Sequence, residues 1–283
     1  MKRPRFVVRT RHVAASGRQL GRCTDKSKSY RGHLRNGTKI EQSKDAVQTV
    51  DTTDARATRR LDMRFAINND ARIEATPHGR GSCPGCGAEL VAKCGNVKVW
   101  HWAHMGQRHC DPWWENETEW HRAWKNNFPT DWQEIPARDQ KGELHIADIK
   151  TPHGLVVEFQ HSHLKSDEAL QRTAFHQKIS WVVDAMRRKT DASQFMRAKY
   201  EGMRHDTKDG VVDQLWLYSA RLLKEWTKVG VITAFDFGGE KVWLLRRVHS
   251  DWIYGFDYPK TKLIEHISEG SPFPDVLFGK PRR

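Results

Sequence analysis

The sequence predicts a mixed α/β protein whose core runs helix, three strands, helix, strand, behind a small Cys- and His-rich module and a basic N-terminal arm. Three observations predict it. Trp120, Trp124 and Phe128 recur every four residues through 115–128, which marks one apolar stripe of a helix. Segments near 132–137, 143–150 and 155–160 then carry strand character, with Thr151-Pro152-His153-Gly154 supplying turn chemistry between the last two. Residues 166–178 follow as a second helix opened by Ser166 or Asp167, and ISWVVDAM (179–186) is the continuous apolar run of a buried central strand.

The arm comes first in the chain. Residues 1–60 hold 16 Lys and Arg against 5 Asp and Glu, a net +11 out of the whole chain's +13. They have few apolar positions and no sustained period, so residues 1–62 are expected to be a low-order arm that either contacts nucleic-acid phosphates or is a solvated leader. Met63, where alternating strand-like pattern first appears, is an alternative start of synthesis. Beyond the arm, residues 63–112 are short-stranded and rich in Gly, Cys and His, residues 113–192 carry the core, and residues 193–283 form a C-terminal α+β extension. In that extension QLWLYSA, VITAFDF, KVWLLRRV and WIYGFDY read as strands, with Gly238-Gly239 turning between the middle pair. They either lengthen the sheet or make a small cap.

The totals exclude several classes. No window approaches 18 apolar residues, and no apolar signal-peptide core follows the first basic residues. The expectation is a cytoplasmic protein with no membrane insertion. Five cysteines (23, 83, 86, 94 and 110), odd in number and clustered, suit a metal site in a reduced compartment better than a disulfide framework.

CPGC sets Cys83 and Cys86 three apart, a spacing that lets one knuckle deliver two thiolates to a tetrahedral ion. HWAH sets His101 and His104 likewise. Cys83, Cys86, His101 and His104 are therefore the expected zinc ligands, in a closed and structural site of zinc-ribbon type. Cys94 and Cys110 are candidate substitutes for one of them.

Polar residues on an otherwise apolar strand mark the second site. In LVVEFQHS, Glu158 and Gln160 share one face because side chains alternate along a strand, while Val157 and Phe159 point into the core. A short turn brings Asp148 of HIADIK close to Glu158. Two converging carboxylates can hold a hard, oxygen-seeking ion such as Mg2+ (or Mn2+), and Gln160 can orient water or phosphate beside it. On the first helix Glu117, His121 and Lys125 share a face, with Glu117 a possible third carboxylate ligand. On the second, Glu168, Arg172 and His176 share a face, and Arg172 can clamp a phosphate.

Together ETEWHRAWK (117–125), HIADIK, LVVEFQHS and WVVDAMRRKTD (181–191), behind CPGC…HWAH, resemble the competence protein CoiA-like nucleases of the PD-(D/E)xK, restriction-endonuclease-like superfamily. The resemblance covers roughly residues 63–260. It implies Asp148 and Glu158 as ligands of the catalytic ion, Glu117 as the first-helix acid with His121 beside it, and Gln160 in the place usually held by lysine. Lys125 joins Arg172 as a substrate-binding candidate. Two departures stand out: Gln160 removes a positive charge, and His145 stands where relatives often carry arginine. The function implied is metal-dependent hydrolysis of DNA phosphodiester bonds in uptake or recombination; defence against foreign DNA is equally compatible. The alternative is a catalytically weak, zinc-containing accessory protein that binds DNA without cutting it. Seven of the twelve tryptophans fall between Trp100 and Trp132. Packing explains them more simply than stacking on unpaired bases, with Trp113 and Trp114 as the members to test.

Overall fold

The computed structural model describes residues 62–106, 110–113, 115–208 and 210–273. The basic arm expected over 1–62 lies outside the described residues except for Asp62, as does Cys23. The described residues form a mixed α/β structure with two sheets and five α-helices. None of those helices is long and apolar enough to cross a membrane.

The first sheet is antiparallel throughout and built from short strands: β1 (Asp62–Met63), β2 (Phe65–Asn68), β3 (Ala71–Glu74), β4 (Arg80–Ser82), β5 (Glu89–Lys93) and β6 (His101–His104), in the order β1-β6-β5-β4-β2-β3. Its core is small, with Met63, Ala66, Leu90 and Trp102 buried together beside Cys83. A core this size buries too little apolar surface to hold a fold by itself, which suits a module stapled by metal. Arg64 and Arg72 tie it to the rest of the chain. Arg64 Nη1 donates to Asn126 Oδ1 (2.6 Å) and Gln133 Oε1 (3.0 Å), and Arg72 Nη2 donates to the Gln133 carbonyl (2.7 Å).

Helix α1 (Glu119–Lys125) is shorter than the stripe over 115–128 predicts. Thr118 starts it by accepting from the His121 amide (3.2 Å), and Asn127 ends it by donating to the carbonyls of Ala123 and Trp124, with Pro129 just beyond. The strands β7 (Gln133–Arg138), β8 (Leu144–Lys150) and β9 (Val156–Gln160) follow at the expected places. Gly154, at φ +77°, makes the β8–β9 turn possible, with its amide donating to the Thr151 carbonyl (2.9 Å). Helix α2 (Ser166–His176) has Lys165 at its cap with no side-chain hydrogen bond there, so neither Ser166 nor Asp167 caps it. Ser166 instead donates to the Glu225 carbonyl (3.3 Å).

Strand β10 (Ile179–Asp184) is buried at every position, as its apolar run predicts. After it come α3 (Asp191–Glu201), β11 (Met203–Thr207), β12 (Gly210–Trp216), α4 (Arg221–Trp226), β13 (Thr233–Asp236), β14 (Lys241–His249), β15 (Trp252–Pro259) and α5 (Lys260–Glu269). The C-terminal strands lengthen the sheet and do not form a separate cap: the order is β11-β12-β15-β14-β13-β10-β9-β8-β7. Among the described residues, only the neighbours β9–β10 and β10–β13 pair in parallel. That central trio needs cover on both sides. Trp181 and Val183 pack with Ala169, Phe195, Leu222 and Trp226 on one face, and Val182 packs with Trp124, Phe128, Leu263 and Ile267 on the other. Helices α2, α3 and α4 therefore cover one face, and α1 and α5 the other.

Candidate active site and metal centres

The ladder between β8 and β9 pairs Lys150 with Val156 and Ile149 with Val157, then stops. Beyond it the two carboxylates do the work of the missing strand bonds. The Asp148 amide donates to Glu158 Oε1 (3.3 Å), and the Phe159 amide donates to Asp148 Oδ2 (2.9 Å). Each acid thus satisfies a backbone donor on the other strand, which holds the strands apart and the carboxylates together. Glu158 lies opposite Trp181 in register, so its side chain emerges on the face covered by α2. Helix α1 lies on the opposite face, with Trp124 and Phe128 stacked on Phe159 at centroid distances of 5.7 and 6.3 Å. Side chains from both faces meet where β8 and β9 part.

They line a narrow cavity of about 50 Å³, room for an ion and a few waters. Its walls include Asp148, Glu158, Glu117, Glu115, Glu134 and Asp111, with Lys125, Arg172 and His145 as the counter-charges and the His121 imidazole beside them. Lys125 is the hub. It is 1% exposed, and its Nζ lies 2.5 Å from Glu117 Oε2, 3.0 Å from Glu134 Oε1 and 3.8 Å from Asp148 Oδ1. Burial pushes the Glu117 carboxyl up, but the Lys125 ammonium outweighs it and holds the group below the ordinary carboxylate range. Glu134 is bound just as firmly: it accepts from the amides of Arg64 and Phe65, and its φ of +48° is a strained value for a side-chain-bearing residue.

The two strand carboxylates differ. Burial and the neighbouring Glu158 charge push Asp148 up to about 8. Burial would raise Glu158 too, but His145 offsets this and brings it down to about 2. His145 is itself raised to about 9, because Glu158 and Asp111 outweigh its burial. A carboxyl forced to keep its proton by a neighbouring carboxylate marks a surplus of negative charge that a divalent cation would relieve. Asp148 and Glu158 could together offer oxygen ligands to a hard ion.

The other expected residues are placed less simply. His121 is buried, with Nδ1 2.9 Å from Thr118 Oγ1 and Nε2 3.6 Å from Glu115 Oε2, and burial together with Lys125 lowers it to about 4. Arg172 donates to Glu168 Oε1 (2.5 Å) and lies 3.8 Å from Glu158 Oε2, while its Nε is buried without a hydrogen-bond partner. Gln160 is 1% exposed, donates to the Ser162 carbonyl (3.0 Å) and does not line the cavity. Trp120 and Trp124 both donate their indole N–H to Asp236 Oδ2, at 3.1 and 2.9 Å, which is packing chemistry. Trp113 packs edge-on against His145 (5.2 Å) and Phe175 (5.4 Å), and Trp114 lies outside the described residues. Asp111, Glu115 and Glu134 are unmarked by the sequence, since isolated acids in loops and at a strand start carry no period.

The Cys/His module differs from its expectation at one ligand. Cys83, Cys86, His104 and Cys110 offer ligand atoms that all lie within 4.8 Å of one another. HWAH is strand β6, and residues three apart on a strand leave it on opposite faces, so His101 and His104 cannot serve one ion. His101 turns away, with Nδ1 2.8 Å from the Val99 carbonyl and Nε2 3.3 Å from Asp62 Oδ1. Cys110 takes the fourth place, its Sγ 3.7 Å from that of Cys83, while Cys94 sits at the margin of the small core. Sharing a proton with Cys110 draws the Cys83 thiol down to about 4 and pushes Cys110 up. Three sulfurs and one imidazole make a donor set that could bind zinc.

Residues 69–112 match the family model described as Competence protein CoiA, N-terminal domain. The matched segment spans the cluster from Cys83 to Cys110 and supports a CoiA-family protein. No curated protein and no solved structure gives a match.

Proposed function

We propose that the chain is a metal-dependent nuclease that hydrolyses DNA phosphodiester bonds, built on a PD-(D/E)xK-type core of α1, β7–β9, α2 and β10. One observation carries the reading: Asp148 and Glu158 face each other across the opened end of the β8–β9 hairpin, in a cavity with a surplus of buried carboxylates. The ion expected there is Mg2+ or Mn2+, which when bound supplies a Lewis acid for the phosphoryl oxygen and an acidified water. The chain's own residues do the rest. Asp148 and Glu158 hold oxygen ligands in a fixed place because each is pinned by an amide of the opposite strand. Lys125, reaching in from α1, restores the positive charge that Gln160 lacks, 3.8 Å from Asp148. Glu117 and Glu134 fix that ammonium so that it does not collapse onto Asp148 alone. The zinc module, joined through Arg64 and Glu134, buttresses the Lys125 hub. The link to competence belongs to the same proposal and rests on the family match, while a role in defence is equally compatible with the chemistry.

One observation favours a DNA-holding protein that does not cut: Gln160 is committed to the Ser162 carbonyl and leaves the motif's last position off the cavity. Cleavage of labelled single- and double-stranded DNA with Mg2+ or Mn2+ separates the two. The nuclease reading requires cleavage by the parent chain and its loss in Asp148→Ala and Glu158→Ala with zinc content retained. Cleavage by either variant at the parent rate refutes the site. Binding without cleavage by the parent moves the conclusion to the accessory protein.

A further inference from the structure

Beside the carboxylate pair lies a second donor set with different chemistry. His145, Glu158 and His176 offer ligand atoms within 4.8 Å of one another. The two imidazoles lie 4.9 Å apart by centroid, and the Nε2 atoms of both are buried without a hydrogen-bond partner. His145 Nε2 faces Glu158 Oε1 at 3.3 Å without the geometry of a hydrogen bond. Two buried imidazole nitrogens without a hydrogen bond, one of them facing a carboxylate oxygen, are costly in a folded protein, unless something sits between them.

The surroundings fix the rings as a metal site requires. His145 Nδ1 lies 2.9 Å from Asp111 Oδ2, which also accepts from the Ile146 amide (2.8 Å), so Asp111 is itself anchored. A carboxylate on the far nitrogen of an imidazole sets its tautomer and aims its other nitrogen. Phe175 packs against both rings, at 5.9 Å from His145 and 4.8 Å from His176, and Trp113 closes the side of His145. Arg172 approaches the opposite oxygen, Oε2, of Glu158 at 3.8 Å, while Oε1 accepts from the Asp148 amide (3.3 Å) and faces the imidazoles.

We infer that His145, His176 and Glu158 form a binding site for a divalent first-row transition ion, distinct from the hard-ion site that Asp148 would make with the same glutamate. Imidazole nitrogen selects Co2+, Ni2+, Fe2+ or Zn2+ over Mg2+, which takes oxygen ligands. Glu158 is thereby a shared wall between a nitrogen-rich and an oxygen-rich pocket. The site rests on the imidazole geometry and stands whether or not the chain cuts DNA.

Co2+ titration of the full chain, with the Cys/His cluster already loaded with zinc, tests this. The parent binds one Co2+ per chain beyond its zinc, without a thiolate charge-transfer band, and shows two strongly shifted exchangeable proton resonances from ligating imidazoles. His176→Ala and His176→Gln lose affinity at least as far as removal of an orienting partner costs, about 10–100-fold. Asp111→Asn falls in that range, and Asp148→Asn keeps Co2+ binding. A parent that takes up no Co2+ beyond zinc, or gives no shifted imidazole resonances, overturns the inference, as does unchanged affinity in a folded His176 variant. The parent measurements decide the matter even where a variant fails to fold. Loss of cleavage in Asp148→Ala is read separately and bears on the nuclease proposal alone.

Discussion

Replacing Lys125 with methionine tests the reading of that residue as a buried hub. The substitution keeps most of the side chain's volume and removes a charge that touches three carboxylates, at 2.5, 3.0 and 3.8 Å. At an effective dielectric of about 20, each of the two nearest contacts carries about 5–7 kcal/mol of attraction. Repulsion among the acids and the cost of burying them offset most of it, and removing one partner of a buried ion pair costs about 3–5 kcal/mol. No discount for solvent applies, since the lysine is 1% exposed. Urea unfolding followed by tryptophan fluorescence measures the loss. The pH dependence has a definite sign. Lys125 holds the Glu117 carboxyl below its ordinary value, so the pair's contribution is present above the carboxylate range and fades as pH falls through it. The gap between parent and variant therefore narrows in acid. Adding Glu117→Gln to Lys125→Met recovers part of the loss, because one orphaned acid is gone. A single variant within about 0.5 kcal/mol of the parent at neutral pH, the range of ordinary surface changes, refutes the hub. A gap that does not change with pH refutes the assignment of its cause.

Three further outcomes follow from the geometry. Cys110→Ser should lower zinc retention in a chelator-competition assay, whereas His101→Ala should keep one zinc per chain; the reverse pattern would restore the His pair. Asp236→Asn removes the charge that receives two indole N–H groups and lies 2.8 Å from Lys260 Nζ, and should cost roughly 2 kcal/mol in the same urea assay. Mg2+ affinity, measured by calorimetry, should rise about tenfold per pH unit up to about 8 and then level off, because Asp148 must lose its proton to bind the ion. A flat profile would mean that Asp148 is not a ligand.

Some of this was legible in the residues and some was not, for definite reasons. Glu158 stood out because it interrupts an apolar strand, and strand alternation with a short turn placed Asp148 opposite it. The run ISWVVDAM named the central strand because a strand flanked by parallel neighbours is covered on both faces. His101 misled because spacing of three serves a knuckle and fails on a strand, and HWAH alone does not say which it is. Glu134 could not be found: what makes it matter is a positive φ and two amides contributed from Arg64 and Phe65, seventy residues away in the chain. Helices α3, α4 and α5 lack the aromatic stripe of α1, and their packing comes from single residues such as Phe195, Trp226 and Leu263.

The anchoring of Trp120 and Trp124 on Asp236 has a consequence for the order of events during synthesis. The two indoles precede their shared acceptor by 116 and 112 residues. A nascent chain has the β8–β9 carboxylates, and Phe159 to stack under Trp124 and Phe128, in hand long before β13 emerges, but until then the two indole N–H groups of α1 lack their shared acceptor. The polar anchoring of α1 over the acidic cleft is thus completed only when the C-terminal third leaves the ribosome. A product cut short before residue 236 carries every acid of the cleft but lacks the carboxylate that takes both indole N–H groups of the helix that brings Lys125 to it.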